Sequence, residues 1–274
     1  ISVLIIFCVQ AILTYGQANV PPTIVADGNQ MYCPLNQINV VTNFDIIDPD
    51  DTEIEAVYIQ ISTGYDMGND LLSLTGAHPN IVTNWDANQG KLTLSGVGGV
   101  NVSYTDLIAA VLDVVYESVS DTVSGEKYFS FTIGDANYLP FTGHYYQYVA
   151  DLGVTWTDAR QAAENSTYFG LQGYLATITS TEEAQLTGEQ AAGAGWIGGT
   201  DFETEGVWKW ATGPEEGTVF WNGGINGSTP NFAFWNTNEP NNQGNEDYAH
   251  VTAPNVGIAG SWNDLPNGGS DGDY

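Results

Sequence analysis

Basic residues are scarce in this sequence of 274 residues. Four Lys and Arg stand against 33 Asp and Glu, and the formal net charge is -29. Nucleic-acid binding requires basic side chains that neutralise phosphates, so this composition excludes a nucleic-acid partner and argues against docking on anionic lipid. Both halves share the excess, because residues 1–137 contain 16 carboxylates and two Lys, and residues 138–274 contain 17 carboxylates, one Lys and one Arg. The charge either keeps an extracellular protein soluble by self-repulsion or is partly paired with divalent cations.

Cysteine and long apolar runs are almost absent as well. Residues 1–18 contain an apolar run that is too short to span a bilayer, followed by the small residues Gly16 and Ala18. This pattern predicts the core of a secretory signal peptide, present here as a fragment, and a buried first strand or helix is the alternative. Cys8 falls inside the signal, so Cys33 is the sole thiol of the exported chain and cannot form an internal disulfide. An exported protein with no disulfide and no later membrane-spanning segment is expected outside a bacterial cell or at its surface.

Residues 19–137 have the pattern of an all-β sandwich domain. Segments rich in β-branched and aromatic residues, such as 56–62 and 127–133, are separated by Gly, Asn and Asp clusters. The spacing of these clusters is typical of a β-sandwich. One short helix is expected at 104–112.

This half resembles the cadherin-like repeats of large secreted bacterial surface proteins. The resemblance rests on an acidic turn after Phe44 and on the segments 70–76, 91–96 and 131–135. It implies a spacer module, and some such modules bind Ca²⁺ at their ends. The candidate interdomain calcium ligands are Asp48, Asp50, Asp51 and Asp135. The alternative, which we favour, is ordinary turn chemistry, because Asp stabilises turns through its own side chain.

Residues 138–274 differ in composition and in pattern. Seven of the eight Trp lie in the segment 156–262. Capping signals predict one helix over 156–165 and a second over 181–192. A long stretch rich in Gly, Asn and Pro follows these helices, and a loop of this length inside a compact domain is usually functional.

Oxygen-bearing side chains are concentrated in the loops of this second half. They are Asp201, Glu205, Glu239, Asn241, Asn242, Glu246, Asp247, Asn263 and Asp264. Carboxylates this dense repel one another unless a cation lies between them. Mixed carboxylate and amide oxygens suit Ca²⁺, which takes about six to eight oxygen ligands, better than Zn²⁺.

The order of these residues strongly resembles a C-type lectin-like domain over residues 142–265. The motifs that carry the resemblance are Trp196-Ile-Gly-Gly, Glu239-Pro240-Asn241, Glu246-Asp247 and Trp262-Asn263-Asp264. The resemblance implies an α+β fold for residues 138–274, truncated before its last strand. The family usually has two disulfides, and this half has no Cys, so packing and Ca²⁺ are expected to order its loops.

The resemblance also implies a role for each ligand residue. Glu239, Asn241, Glu246, Asn263 and Asp264 match the family's principal calcium site, where two adjacent sugar hydroxyls coordinate the ion. Pro240 is expected to be cis. The residues that match the auxiliary calcium site are Asp201, Glu205, Asn242 and Asp247, with Asn242 in place of a usual Asp.

Three classes of function are open to such a chain. The Glu-Pro-Asn order implies mannose-type ligands (mannose, glucose, fucose or N-acetylglucosamine), so the leading hypothesis is a calcium-dependent, carbohydrate-binding adhesin module. Single shallow sites bind weakly, and strong adhesion is expected from a multivalent array. The alternative is a structural or protein-binding lectin-like module that uses Ca²⁺ to stiffen its loops. An enzyme is not expected, because no catalytic triad order, phosphate-binding loop or zinc motif is present.

The Trp residues have two possible roles. Trp196, Trp208, Trp210 and Trp262 are expected in the core, because large aromatic side chains dominate core burial. Trp221 and Trp235 lie in the long loop, where stacking on a sugar and burial are equally favoured.

Overall fold

The computed structural model describes residues 20–253 and 256–269. The predicted signal peptide, residues 1–18, lies outside this part of the chain. Strands outnumber helices in the regular secondary structure of the described chain. None of its helices is long and apolar enough to cross a membrane.

The first half consists of short strands and one helix. Its elements are β1 (Thr23–Asp27), β2 (Ile38–Asn39), β3 (Asn43–Ile47), β4 (Glu53–Ile54), β5 (Ala56–Thr63), β6 (Asp70–Leu74), β7 (Ile81–Asp86), β8 (Lys91–Gly96), β9 (Val102–Ser103), α1 (Tyr104–Leu112), β10 (Val114–Ser118) and β11 (Tyr128–Thr132). The antiparallel strands form a sheet in the order β11-β5-β8-β7, a second in the order β2-β10-β6, and the pairs β1-β3 and β4-β9.

One hydrophobic core joins these sheets to α1. Ile59 and Ile61 of β5 are fully buried in the same cluster as Leu107 and Val111 of α1. The helix begins after Ser103, whose hydroxyl accepts the Asp106 N–H at 3.1 Å. Such an N-cap bond satisfies a free donor of the first turn. The predicted helix at 104–112 is confirmed.

The second half combines short helices with a central sheet. Its elements are β12 (Asn137–Leu139), β13 (His144–Tyr146), α2 (Trp156–Asn165), β14 (Thr167–Tyr168), β15 (Leu171–Gln172), α3 (Thr181–Ala184), a π-helical turn (Gln185–Glu189), β16 (Gly195–Thr200), β17 (Val207–Trp210), β18 (Val219–Asn222), β19 (Tyr248–Val251) and β20 (Trp262–Leu265). The central sheet is antiparallel, in the order β18-β17-β16-β19-β20.

An aromatic core packs on this sheet, and it consists of Trp208, Trp210, Phe220 and Trp262, all at most 1% exposed. Trp210 stacks on Phe220 with 4.3 Å between ring centroids, and Trp262 meets both rings edge-on at 5.7 Å. Large aromatics bury much apolar area and prefer these offset and edge-on geometries. The aromatic core therefore fixes β20, whose next two residues are Asn263 and Asp264.

The helices of the second half agree with the sequence prediction in part. α2 has the expected bounds, and Thr155 caps it by accepting the Asp158 N–H. The second helix was expected over 181–192, and this was wrong: α3 ends at Ala184 and continues as a π-helical turn that ends at Glu189. A tertiary contact explains why the segment departs from a regular α-helix. Gly188 lies directly on the Gly260 backbone, where a Cβ would come within 2.6 Å of the Gly260 Cα.

Side-chain amides from this turn bind the backbone of the first half. The Gln185 side chain donates to the Tyr65 carbonyl at 2.9 Å and accepts the Gly64 N–H at 3.1 Å. The Gln190 amide, 1% exposed, donates to the carbonyls of Ile61 and Gln89. The division into domains at 19–137 and 138–274 stays a prediction.

Candidate functional site

The long loop between β18 and β19 carries most of the predicted ligands. Its Glu239–Pro240 peptide bond is cis. Asn238, Asn242 and Asn245 adopt positive φ angles of 69°, 50° and 75°. Asn tolerates this left-handed region better than most residues because its short polar side chain bonds locally. The Asn-rich sequence therefore permits the sharp turns that fold the loop back on itself.

Asp264 joins this loop to β20. Its side chain is 0% exposed, and its Oδ1 accepts the Asn241 N–H at 3.0 Å while its Oδ2 accepts the Asn242 N–H at 2.9 Å. A buried carboxylate is costly unless hydrogen bonds or a cation compensate its charge. Asp264 therefore places the backbone of the loop directly against the sheet.

Glu239, Asn241 and Glu246 are linked within the loop. The Asn241 side-chain amide donates to Glu239 Oε2 at 2.5 Å. The Gln243 N–H contacts both Asn241 Oδ1 and Glu246 Oε2 at 2.8 Å. Burial and the neighbouring Asp264 carboxylate raise the pKa of Glu239 well above its usual range. The pKa of Glu239 rises because its side chain is partly removed from water and because the adjacent Asp264 carboxylate repels a second negative charge.

Asn263 reaches the same region from β20. Its amide contacts the Nε2 of His250, its cross-strand partner on β19, at 3.2 Å. Together with Glu239 it lines a cavity of about 110 Å³, whose other lining residues are Asn236, His250, Thr252, Ala253 and Val256. An open groove of about 550 Å³ lies between residues 222–228 and 240–242. Hydrogen bonds link Asp264 to Asn241 and Asn241 to Glu239, and Asn263 lines the cavity with Glu239.

Asp201 is the one buried residue of the auxiliary set, in which Glu205 and Asn242 are exposed. Asp201 is 2% exposed, its Oδ2 accepts the Gly206 N–H at 2.8 Å, and its Oδ1 has no partner among the described residues. Burial raises the pKa of Asp201 to about 7, with further contributions from the charges of Glu205, Asp247 and Asp264. Asn242 Oδ1 accepts the Glu246 N–H at 2.8 Å, so this amide joins the two sets.

The donor set has the chemistry of a calcium site, but its carboxylates do not converge: among the described residues, three acidic side chains come within 4.8 Å of one another only at Asp48, Asp50 and Asp51. Its side chains offer only carboxylate and amide oxygens, which Ca²⁺ prefers. The unpaired Asp201 Oδ1 and the raised pKa values of Asp201 and Glu239 indicate that the ionised forms of these carboxyl groups lack stabilising partners. The nearby Lys209 pairs with Glu203, outside the set. A divalent cation would supply the missing positive charge.

The acidic turn of the first half behaves differently. Carboxylate oxygens of Asp48, Asp50 and Asp51 lie within 4.8 Å of one another, in a group that does not contain Asp135. Asp48 Oδ1 accepts the N–H groups of Asp50 and Asp51, and the Tyr104 hydroxyl donates to its Oδ2 at 2.6 Å. The Tyr104 bond and these backbone bonds lower the pKa of Asp48 to about 2. Turn chemistry thus accounts for Asp48.

Three of the four Trp residues expected in the core, Trp208, Trp210 and Trp262, are buried in the aromatic core. The fourth, Trp196, is only partly buried and packs beside Trp156 and Tyr248. Trp235 packs against the aromatic core, with 4.8 Å between its ring centroid and that of Trp208. Trp221 lies in β18, packs against the same core and donates to the Gly224 carbonyl. Trp221 and Trp235 therefore both belong to the core packing.

Sequence reasoning missed the cavity residues His250 and Thr252. Both side chains line the cavity with Asn263. The signal was the two-residue spacing, because alternate residues of a strand face the same side. The face they share became visible only through the pairing of β19 with β20.

Comparison with known proteins identifies the family. No family model matches the chain. Lectin BRA-3 of the barnacle Megabalanus rosa is 30% identical over 132 residues, which cover 48% of this chain and 69% of that lectin. The chain belongs to the C-type lectin family. C-type lectin domain family 4 member F of Mus musculus is 33% identical over 141 residues, or 49% of this chain and 21% of the mouse protein.

A longer match covers both halves of the chain. Halomucin of Haloquadratum walsbyi is 36% identical over 231 residues, which are 80% of this chain and 2% of halomucin. The chain thus spans a small part of halomucin and about a fifth of the mouse lectin. A solved mouse scavenger receptor C-type lectin carbohydrate-recognition domain aligns over 43% of this chain and 76% of its own, with 28% identity and a TM-score of 0.30.

Proposed function

We propose that this C-type lectin chain binds mannose-type carbohydrate through Ca²⁺ held by Glu239, Asn241, Glu246, Asn263 and Asp264. The observation that carries the proposal is the contact of the buried Asp264 carboxylate with the Asn241 and Asn242 N–H groups. This contact holds the acidic loop on the sheet. When bound, Ca²⁺ supplies the charge that these oxygens lack and free coordination positions for two adjacent sugar hydroxyls.

The side chains themselves supply orientation. The Glu239 carboxylate accepts hydrogen bonds and the Asn241 amide donates them, and in the family such a pair bonds the sugar hydroxyls that contact the ion. Asp201, Glu205, Asn242 and Asp247 are proposed to hold a second ion that stiffens the loop. The groove beside Asn241 has room for further sugar residues.

The wider setting is also a proposal. Residues 19–137 would be a cadherin-like spacer that presents the lectin domain, residues 138–274, at the outside of a cell. Relatives named as lectins support a binding role and not an enzymatic one. Adhesion would come from several copies acting together, since repeated weak sites raise avidity without new contacts.

A sugar-binding experiment with a specificity swap tests the proposal. Isothermal titration of the full chain with methyl mannoside and methyl galactoside, in calcium and in chelator, should show mannoside binding in calcium alone. The double variant Glu239→Gln, Asn241→Asp exchanges the donor and acceptor of the pair and should turn the preference toward galactoside. Circular dichroism checks that the variant is folded.

Two results would overturn the proposal. One is the absence of calcium-dependent binding to any sugar of a broad glycan array. The other is a mannoside affinity that chelator leaves unchanged. If calcium raises the melting temperature while no sugar binds, the structural or protein-binding alternative replaces it.

A further inference from the structure

The open groove beside the principal ligand set has an uncharged surface. It lies between residues 222–228 and residues 240–242, and its volume is about 550 Å³. None of the residues that the structure places along it is acidic or basic, although the chain has 33 carboxylates and a net charge of -29. Clefts of about 300–1,000 Å³ are typical of sites for organic ligands. The groove is therefore large enough for a ligand and differs in charge from the rest of the chain.

The wall formed by residues 222–228 is held in place by the second half. Asn222 and Ser228 exchange two backbone hydrogen bonds, each 2.9 Å long. Gly227 lies directly against the indole of Trp221, where a Cβ would come within 2.6 Å of Nε1. Trp221 in turn packs against the aromatic core. The backbone of this wall is therefore preorganised.

The opposite wall is held by the sheet. Asn241 and Asn242 donate their N–H groups to the buried Asp264 carboxylate at 3.0 and 2.9 Å. Asn241 also belongs to the principal ligand set, so the groove begins at the proposed sugar site. Surfaces that are already ordered lose little conformational freedom when a ligand binds. A glycan chain that starts at the proposed ion would therefore meet two fixed walls.

Two side-chain amides on the first wall are ready to bond a ligand. Asn222 and Asn226 are exposed along the groove, and neither side chain makes a hydrogen bond within the part of the chain that the structure describes. An Asn amide donates two hydrogen bonds and accepts others, so it bonds a hydroxyl group in either direction. A carboxylate or sulfate on the ligand would meet the negative field of the chain with no cation in the groove to offset it. The groove therefore suits an uncharged polyhydroxyl ligand.

We propose that the groove binds the next sugar residue of an uncharged glycan chain, through hydrogen bonds from the Asn222 and Asn226 amides to its hydroxyl groups. The inference rests on the proposed function, because the first residue of that glycan is the one held at the ion beside Asn241. The ligand is then a neutral oligosaccharide, and not a single terminal sugar or an acidic polysaccharide. Asn222 and Asn226 are specificity residues that do not contact the ion.

Sugars that differ in length and in charge test this assignment. Isothermal titration of the calcium-loaded full chain should show β-1,4-linked mannotriose binding about tenfold more tightly than methyl mannoside, the gain expected from one or two added hydrogen bonds. The β-1,4-linked trimer of mannuronic acid carries a carboxylate in place of each hydroxymethyl group of mannotriose. This acidic trimer should lose the gain.

Two kinds of variant locate the gain in the groove. Asn222→Ala together with Asn226→Ala should remove it and leave methyl mannoside binding unchanged, whereas Asn101→Ala, at an exposed position of the first half, should alter neither affinity. Gly224→Leu should also remove the gain. A Cβ on Gly224 would meet only the Pro240 carbonyl, at an ordinary contact distance of 3.5 Å, so a side chain fits there and fills the groove.

The possible failures are distinguishable. Equal affinities of the parent chain for mannotriose and methyl mannoside would overturn the groove assignment and leave the proposed function standing. A gain that survives the double substitution or Gly224→Leu would overturn the assignment too, and so would equal binding of the neutral and acidic trimers. If neither methyl mannoside nor mannotriose binds in calcium, the proposed function fails together with this inference.

Discussion

Asp264 shows how one residue can join packing to binding. It follows Trp262 of the aromatic core by two positions, and its carboxylate is buried against two N–H groups of the loop. Strand β20 fixes the position of the Asp264 carboxylate. Its two hydrogen bonds then fix the backbone of Asn241 and Asn242. The loop is therefore ordered from the sheet outward, without a disulfide in this half of the chain.

Asp264→Asn should abolish calcium binding and destabilise the fold. The amide keeps one acceptor and turns an N–H₂ toward a backbone N–H, which leaves a buried donor unpaired at a cost of about 1–3 kcal/mol. Urea unfolding in chelator measures this loss, and calorimetric titration measures the ion. Glu216→Gln is the matched control, because it makes the same charge change at an exposed carboxylate outside the site. Calcium binding that survives Asp264→Asn would contradict the assignment.

Asp201 predicts how the metal-free protein responds to pH. Burial raises its pKa from 3.8 to about 7, so between these values the folded chain holds a proton that the unfolded chain releases. Stability then falls as pH rises through this interval. In chelator, the melting temperature of the parent chain should decrease from pH 5 to pH 8 more steeply than that of Asp201→Asn. Parallel curves for the two proteins would show that Asp201 does not titrate in this way.

The candidate ligand residues could be named from the sequence, and the cavity could not. Motifs such as Glu239-Pro240-Asn241 and Trp262-Asn263-Asp264 are local in sequence and appear in a recognisable order. Thr252 comes close to Asn263 because the chain turns back and pairs β19 with β20. Short sequence motifs do not predict contacts between residues that are distant in the chain.

At the scale of elements, helices set by local signals were predicted correctly, and the helix shaped by tertiary contacts was not. α1 and α2 have the predicted bounds because their N-caps and buried faces are encoded within each segment. The segment after α3 had an equally clear local signal, yet it forms a π-helical turn. Its geometry follows from Gly188 resting on Gly260 and from two Gln side chains that bind the first half. Insertions of this kind in helices often accompany special tertiary contacts.

Gln190 should couple the stability of the two halves. Gln190→Ala removes a buried amide that donates to Ile61 and Gln89, leaving their carbonyls without this donor. We expect a loss of about 1–3 kcal/mol in the free energy of unfolding. Differential scanning calorimetry should show a lower melting temperature, whereas the exposed Gln147→Ala should change little. Equal effects from both substitutions would contradict a specific role for Gln190.

At the scale of the whole molecule, the net charge of -29 divides into two parts. One part is the carboxylates of the candidate site, where burial and neighbouring acidic groups raise the pKa of Asp201 and of Glu239. The larger part is spread over both halves. Self-repulsion of this kind favours solubility and weakens the compact state.

Salt and calcium should therefore act differently on stability. Monovalent salt screens exposed charges over a Debye length of about 8 Å at physiological ionic strength, so it should raise the melting temperature gradually. Ca²⁺ should add a saturable increase, about 2.7 kcal/mol at a free concentration of 100 times its Kd. Magnesium at the same ionic strength is the control, since Mg²⁺ requires a smaller octahedral site. Identical curves for the two cations would mean that calcium acts by screening alone.

The position of Trp262 gives the protein a built-in optical reporter. Its ring lies in the aromatic core within 6 Å of Trp210, Phe220 and Trp235, and the next two residues are Asn263 and Asp264. An ion at the proposed site would bind the two residues that follow this indole on the strand. The intrinsic fluorescence of the unlabelled chain should therefore change on addition of calcium if the proposed site is filled.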